Sequence, residues 1–577
     1  MKCEFCGHNN DPGSRFCSGC GAQSQQAPQT DSYNPAQKVF IDDLPEDYEA
    51  AQQARRRAAQ KVEHRGELSG IAGAAKNLPV KKLLMIIVPL LVVIVAAIII
   101  IPMIGSGGGG SATVKDSIVF FADRDEIIIS GNNNTKFKVD GEIESMQRSL
   151  DGSKAVVLVD YLRNNGGTLW FVTTTGSYKV AENVLQYQLA DSGNGVAYIK
   201  DHDSRSSLAT LYLYDTSSKK ETLITEDSFY NGEFTACISP NGKDVGYISD
   251  YNSRTNTMTG YVKADNKAAE KLEVNMFAVA ISDGGRYLYY IKTSNDRNSG
   301  SMHVRSGRNE NRLASNVDDL KSLMLSRDYS EALFTVEDRT FIIRNANERE
   351  RVSGAAIENL ILPRGVPRKD NSNNAGISVV GLRSFSNLVG YTGEGLVFYD
   401  STLTPNKISG SFSHRNRAVL SADSKTLYYI TNNGHLSAID PAKSDVERRE
   451  VGRDVSAFVT SNDGQTVYYI NNDRELWHVK GSGTPLRIAD DAASSFLALA
   501  NNSPRVFFII DYNSGRGGEL YYSDNGGRRT RVSGADEVKN VWSTTTSVFY
   551  VTRDNELYRS GGDEKFSRFH DEINNIW

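Results

Sequence analysis

SNDGQTVYYINNDRELWHVK, running from Ser461 to Lys480, contains the pattern that decides the fold. A turn rich in Asn, Asp and Gly leads into the apolar run TVYYI. A second polar turn, NNDRE, leads into LWHVK, so the stretch reads as two strands joined by a tight hairpin. The pattern returns in SADSKTLYYITNNGHLSAID from Ser421 and STTTSVFYVTRDNELYRSGG from Ser543. Looser copies begin at Ser149, Ala190, Ser239, Ser282, Ser326 and Asn501. Their spacing of about forty to fifty residues is a repeat period, and four strands per period is the content of one propeller blade. The YYI-type runs are apolar at successive positions, as expected of strands covered on both faces.

The units SPNGK (Ser239 to Lys243) and SLDGSK (Ser149 to Lys154) resemble the turns of TolB-like bacterial propellers, in which a Ser-Pro-Asp-Gly-Lys type turn precedes an apolar strand. The resemblance extends over residues 116–577 and implies a mainly β fold, a β-propeller of about ten or eleven four-stranded units in one large ring or two packed rings. The chain ends in HDEINNIW from His570, which parallels ADEVKNVW from Ala535, whereas the repeat region opens at Ser117 with the second and third strands of a unit. The last strand is therefore expected to complete the first unit, which removes an exposed sheet edge. The segment 362–376, LPRGVPRKDNSNNAG, interrupts the period and reads as a loop.

Upstream of the repeats lies LLMIIVPLLVVIVAAIIIIPMI, the apolar run from Leu83 to Ile104. At 1.5 Å rise per residue it spans about 33 Å, the thickness of a bilayer core, and reads as a transmembrane helix. Lys76, Lys81 and Lys82 precede it, and the first charge after it is Lys115. The N-terminus is therefore expected in the cytoplasm and the C-terminal domain outside the cell membrane. Residues 105–115, rich in glycine, form a flexible tether. Residues 45–80 form a juxtamembrane helix and basic flank, with Pro45 at the helix start, and 23–44 is a linker.

Residues 1–22 carry Cys3, Cys6, Cys17 and Cys20 as two Cys-x-x-Cys pairs, each followed by glycine, at Gly7 and Gly21. Four thiolates at this spacing suit one tetrahedral zinc ion in a closed structural site. The stretch resembles the N-terminal zinc ribbons of bacterial membrane proteins, which implies structural Zn2+ and a cytoplasmic docking module. Beyond the membrane run only Cys237 is present, so no intramolecular disulfide can staple the outer domain. Its place in FTACISP suits a buried strand thiol.

The balance of 65 basic against 70 acidic residues leaves no nucleic-acid footprint. No Gly-x-Ser-x-Gly elbow, phosphate-binding loop or His-Glu-x-x-His pair occurs. The acidic turns at Asp123 to Glu126, Asp201 to Asp203 and Asn471 to Glu475 read as hairpin chemistry rather than calcium ligands. Together these features predict a non-enzymatic, membrane-anchored binding, scaffold or sensor protein of the bacterial envelope. Its propeller would hold a protein partner, and its ribbon a cytoplasmic one. The alternative is a carbohydrate- or envelope-active enzyme with its site at the propeller mouth.

Overall fold

A computed structural model describes residues 119–576, apart from short connecting segments. The expected ribbon cysteines Cys3, Cys6, Cys17 and Cys20, the linker, the juxtamembrane segment, the membrane run at 83–104 and the tether lie outside the described residues.

Among the described residues the chain is mainly β, a succession of antiparallel four-stranded units. In each complete unit the strands pair in chain order. Ten sheets are present, and the largest holds two consecutive units joined at the pair Gly518↔Val538, which makes eleven units. The final strand, Asn575–Ile576, pairs with Val119–Asp123 through Phe121↔Ile576 and Ala122↔Asn575. It thereby takes the first-strand place in a unit whose other members are the first three described strands, the completion expected from the sequence.

The doubly apolar strands explain how one unit packs on the next. In Leu427–Ile430 all four side chains are buried. Leu427 and Tyr429 join Val389, Leu396 and Phe398 of the preceding unit, whereas Tyr428 and Ile430 join Val455, Val467 and Tyr469 of the following one. Strand geometry sends successive side chains to opposite faces, so a strand between two neighbours needs apolar residues at every position. The next repeat does the same: Val467 and Tyr469 face backward, and Tyr468 and Ile470 pack forward on Val506 and Phe508. Each large side chain buried this way contributes about 1.5–3 kcal/mol.

The serine-led turns lock the strand ends. Ser421 Oγ donates to Asp423 Oδ1 at 2.6 Å and accepts from Thr426 N at 2.9 Å, while Asp423 Oδ1 accepts from Lys425 N at 3.0 Å. Ser149 with Asp151, Ser239 with Asn241 and Ser326 with Asp328 repeat the arrangement. The turns also tie one unit to the next, with Leu150 N donating to Asp191 O and Ala422 N to Asn462 O. The fourth turn position needs positive φ, and Gly152, Gly242 and Gly464 supply it. Cys237 lies in the strand Cys237–Ile238 and is buried, as its sequence context predicts.

Candidate functional site

The segment 362–376 departs in part from its reading as a loop: residues 362–367 are turns and irregular backbone as expected, whereas 368–370 are not. Arg368–Asp370 is a strand that pairs antiparallel with Ile377–Val380, through Arg368↔Val380 and Asp370↔Ser378. Ile377–Val380 then runs parallel to Leu320–Leu325, the first strand of the unit at 320–351, and widens that sheet to six strands. The alternation in ISVV drives the docking. Ile377 and Val379 enter a core with Leu323, Leu325 and Tyr289, while Val380 enters another with Met324, Leu333 and Leu388. Beyond the hairpin, Phe385 N donates to Glu331 Oε2 at 2.7 Å and Ser384 Oγ to Glu331 Oε1 at 3.0 Å, which fixes the chain's return.

The hairpin places Lys369 at a meeting point of turns. Its Nζ lies 3.0 Å from Asp191 Oδ1 and donates to Leu189 O at 2.6 Å. Asp191 belongs to the unit at 186–229, and its second oxygen accepts from Tyr329 OH at 2.9 Å. Tyr329 in turn accepts at its carbonyl from Tyr289 OH. Tyr329 occupies the turn position that is glycine in sister repeats, and it adopts φ 61° there. A bulky residue in the left-handed region costs about 1–3 kcal/mol, and here its phenol completes the shell of Asp191.

The surroundings explain why a cation is needed. Burial pushes the Asp283 carboxyl up, and the charges of Asp244, Asp191 and Asp328 add to it. Burial, together with the Asp191 charge, holds the Tyr329 phenol well above its usual value, so it stays a donor. Leu150, from the unit at 143–184, packs into the same core as Tyr329 and Val379. Turns from units far apart in sequence thus converge here, and the inserted strand fills the space between them.

Five residues earlier, Arg364 reaches a second meeting point. Its backbone N donates to Leu420 O at 3.0 Å, and Pro363 bridges to Leu420 in parallel. The bend that follows uses Gly365 at φ 80°. Arg364 Nη1 donates to Thr460 Oγ1 at 2.9 Å and also to the Thr460 carbonyl. Nε is buried and has no hydrogen-bond partner among the described residues. Burial lowers this guanidinium to about 9, and no described carboxylate acts against that shift.

Beside the hairpin, a cleft of ≈ 250 Å³ opens between the units at 320–351 and 357–409. Lys321, Glu358, Arg368 and Asp370 line it, together with Asn359 and Ser378. Within it Arg368 Nε lies 2.9 Å from Asp370 Oδ1, and Ser378 Oγ bridges the two, accepting from Arg368 Nη2 at 3.1 Å and donating to Asp370 at 2.9 Å. This lining carries donors and acceptors of both charges, held on paired strands.

Sequence reasoning located the interruption but missed the strand pairing and every residue named here. The signals were present: ISVV directly after Gly376, and tyrosine in SRDYS where related turns have glycine. Two of the acidic turns bond within their own hairpins, as Asn471 Oδ1 accepts from Glu475 N at 2.8 Å and Asp203 Oδ2 from Ser206 Oγ at 2.8 Å.

No family model matches the chain, and no curated protein matches it. Among solved structures it is similar to the tricorn protease, at 9% identity over 79% of this chain and 58% of that chain, with a TM-score of 0.29. It is similar to TolB from Acinetobacter baumannii at 12% identity, over 41% of this chain and 62% of that one, with a TM-score of 0.26. The β-propeller domain of the Trilobed protease from Pyrococcus furiosus matches at 11% identity over 58% of this chain and 92% of that domain, with a TM-score of 0.29. The chain therefore spans less than two thirds of the tricorn and TolB chains.

Proposed function

We propose that this chain is a membrane-anchored scaffold of the bacterial envelope, whose outer domain recognises a protein partner through the inserted hairpin and the cleft beside it. The observation that carries the reading is the hairpin itself. A repeat that is otherwise regular is interrupted once by a segment that forms two strands, joins a neighbouring sheet and lines a polar cleft with Arg368, Asp370, Lys321 and Glu358. Recognition groups held on paired strands keep their geometry, which is what a binding site requires.

In the same reading the eleven units form two rings that share the stem of the insertion. Lys369 and Arg364 support this, since they reach the units at 186–229 and 455–489 respectively. The run from Leu83 to Ile104 anchors the protein, with the outer domain outside the membrane. The ribbon holds structural zinc through Cys3, Cys6, Cys17 and Cys20 and docks a cytoplasmic protein.

Two experiments test the proposal. Ser514 is exposed and Cys237 buried, so a Ser514→Cys variant should be labelled in intact cells by a membrane-impermeant maleimide. Labelling only after lysis would overturn the topology. Crosslinking in intact cells should capture a partner with the full chain and lose it in a form lacking residues 112–577. The same partner should be lost in an Arg368→Ala/Glu358→Ala variant that still folds; unchanged capture by that variant would remove the cleft from the reading.

A further inference from the structure

The unit at 276–314 repeats an aromatic pair with one change. In the two units before it, Tyr198 stacks on Tyr212 and Tyr247 on Tyr261, cross-strand neighbours with ring centroids 5.6 and 5.4 Å apart. Here Tyr290 stacks on His303, at 5.4 Å and 14°. Stacking accounts for a ring at this place, but not for an imidazole engaged at both nitrogens. His303 Nε2 lies 2.7 Å from Ser301 Oγ, and Nδ1 lies 3.3 Å from Glu310 Oε1.

The positions of the protons follow from the groups themselves. A carboxylate only accepts, so a neutral imidazole between a carboxylate and a hydroxyl carries its proton on Nδ1. Nε2 then presents a lone pair, and Ser301 donates to it. Burial lowers the His303 imidazole below its ordinary value of about 6.5, with Lys292 and Arg312 acting the same way and Glu310 against them, so the ring is neutral at pH 7. Burial pushes the Glu310 carboxyl up, but Lys292 and its other neighbours hold it below its ordinary value, so it is charged. Ser301 and His303 share a strand face because they are two residues apart, and the Tyr290 ring sets the plane of the imidazole. Lys292 stands across the strand pair from Ser301, and its Nζ lies 3.0 Å from Glu310 Oε1. Ser301, His303 and Lys292 are partly exposed and Glu310 is exposed, so a solute reaches this hydroxyl from solvent.

We propose that Ser301 as nucleophile and His303 as base, with Glu310 positioning the imidazole, make this face a site that hydrolyses small carboxylic esters. Ser301 Oγ attacks the ester carbonyl carbon as its proton passes to His303 Nε2, and the carbonyl oxygen takes up negative charge beside the Lys292 ammonium. The carbonyl then re-forms, the alcohol leaves with the proton from His303, and the acyl group stays on Ser301. Water attacks the acyl carbon and gives one proton to His303; the acid departs and Ser301 regains that proton. An ester is the class that fits, because an alcohol leaves more readily than an amine, and a face open to solvent suits a short acyl group. This activity goes beyond the scaffold reading and depends on neither the membrane anchor nor the cleft at Arg368.

The test is hydrolysis of p-nitrophenyl acetate by the purified full-length chain in detergent, with a fluorophosphonate probe to mark the nucleophile. Wild type should hydrolyse the ester faster than Ser301→Ala and should carry the phosphonyl group on Ser301, read by peptide mass spectrometry. His303→Gln should lower the Ser301-dependent rate about a hundredfold or more. Glu310→Gln should keep part of that rate and move its pH midpoint down, because the carboxylate no longer favours the protonated ring; a merely structural role would leave the midpoint in place. Equal rates in wild type and Ser301→Ala, or a probe adduct only on other residues, overturn the proposal. If His303→Gln does not fold, Ser301→Ala decides alone, since it removes one partly exposed hydroxyl.

Discussion

Lys369 Nζ and Asp191 Oδ1 lie 3.0 Å apart across a sequence separation of 178 residues. The pair is mostly buried, with side-chain exposures of 13% and 9%, and it joins the inserted strand to a unit far from it in the chain. Removing one member leaves the other charged in a poorly solvated place. Lys369→Met should cost about 3–5 kcal/mol. Lys369→Met with Asp191→Asn should cost much less than the sum of the single changes, as a double-mutant cycle by urea unfolding would read. Additive costs would show that the pair is not coupled.

Tyr329 isolates the phenol's part in that arrangement. Tyr329→Phe keeps the ring and removes only the bond to Asp191, so it should lower stability by about 1.5–3 kcal/mol. Tyr329→Gly regains the repeat's usual residue at φ 61° but loses the ring from the core shared with Leu325 and Val379. The glycine variant should be the less stable of the two in urea, because core packing outweighs the relief of backbone strain.

Gly464 tests the turns. Its φ is 65°, and an added Cβ would lie 3.0 Å from Thr426 Cβ and 3.2 Å from Ser421 Cβ of the preceding unit. Gly464→Ala should therefore cost about 1–3 kcal/mol. Hydrogen exchange should show the loosening at both the Ser461 and Ser421 turns.

Alkaline pH should unfold the outer domain through its buried acids. Burial pushes the Cys237 thiol up to about 12 and the Tyr399 phenol up to about 12. Their unfolded values are about 8.5 and about 10. The native state thus keeps protons that the unfolded state has lost. The contribution of each group is complete below its unfolded value and falls by about 1.4 kcal/mol per pH unit on the way to 12. Far-ultraviolet structure should be lost as the pH approaches 12, and Tyr399→Phe should move that loss to higher pH; an unchanged unfolding pH in the variant would contradict the burial.

The closing strand gives a fifth test. Deleting residues 575–577 removes the partner of Phe121 and Ala122. Amide exchange across Val119–Asp123 should accelerate and the variant should associate through the uncovered edge, measured by light scattering.

The repeat was legible because its determinants are local. A turn such as SNDG and a run such as TVYYI state their structure within ten residues, since strand burial on both faces leaves no polar position. The C-terminal strand was legible for another reason, the likeness of INNIW to VKNVW. The strand inside the insertion was missed because LPRGVPRKDNSNNAG is polar and proline-broken. That strand, Arg368–Asp370, exists by pairing with Ile377–Val380, which itself depends on Leu323 and Leu325. Asp191 for Lys369 and Thr460 for Arg364 lie 178 and 96 residues away, where no local pattern points.

The pairing of Asn575–Ile576 with Val119–Asp123 also sets an order of events in time. The unit opened by Val119–Asp123 stays one strand short until Asn575–Ile576 has been made, so the units between them can be in place before that unit is complete. The same junction receives mechanical load. A pull on Val119 enters the fold at the strand that Asn575–Ile576 holds in place, and the two paired strands bear that force together.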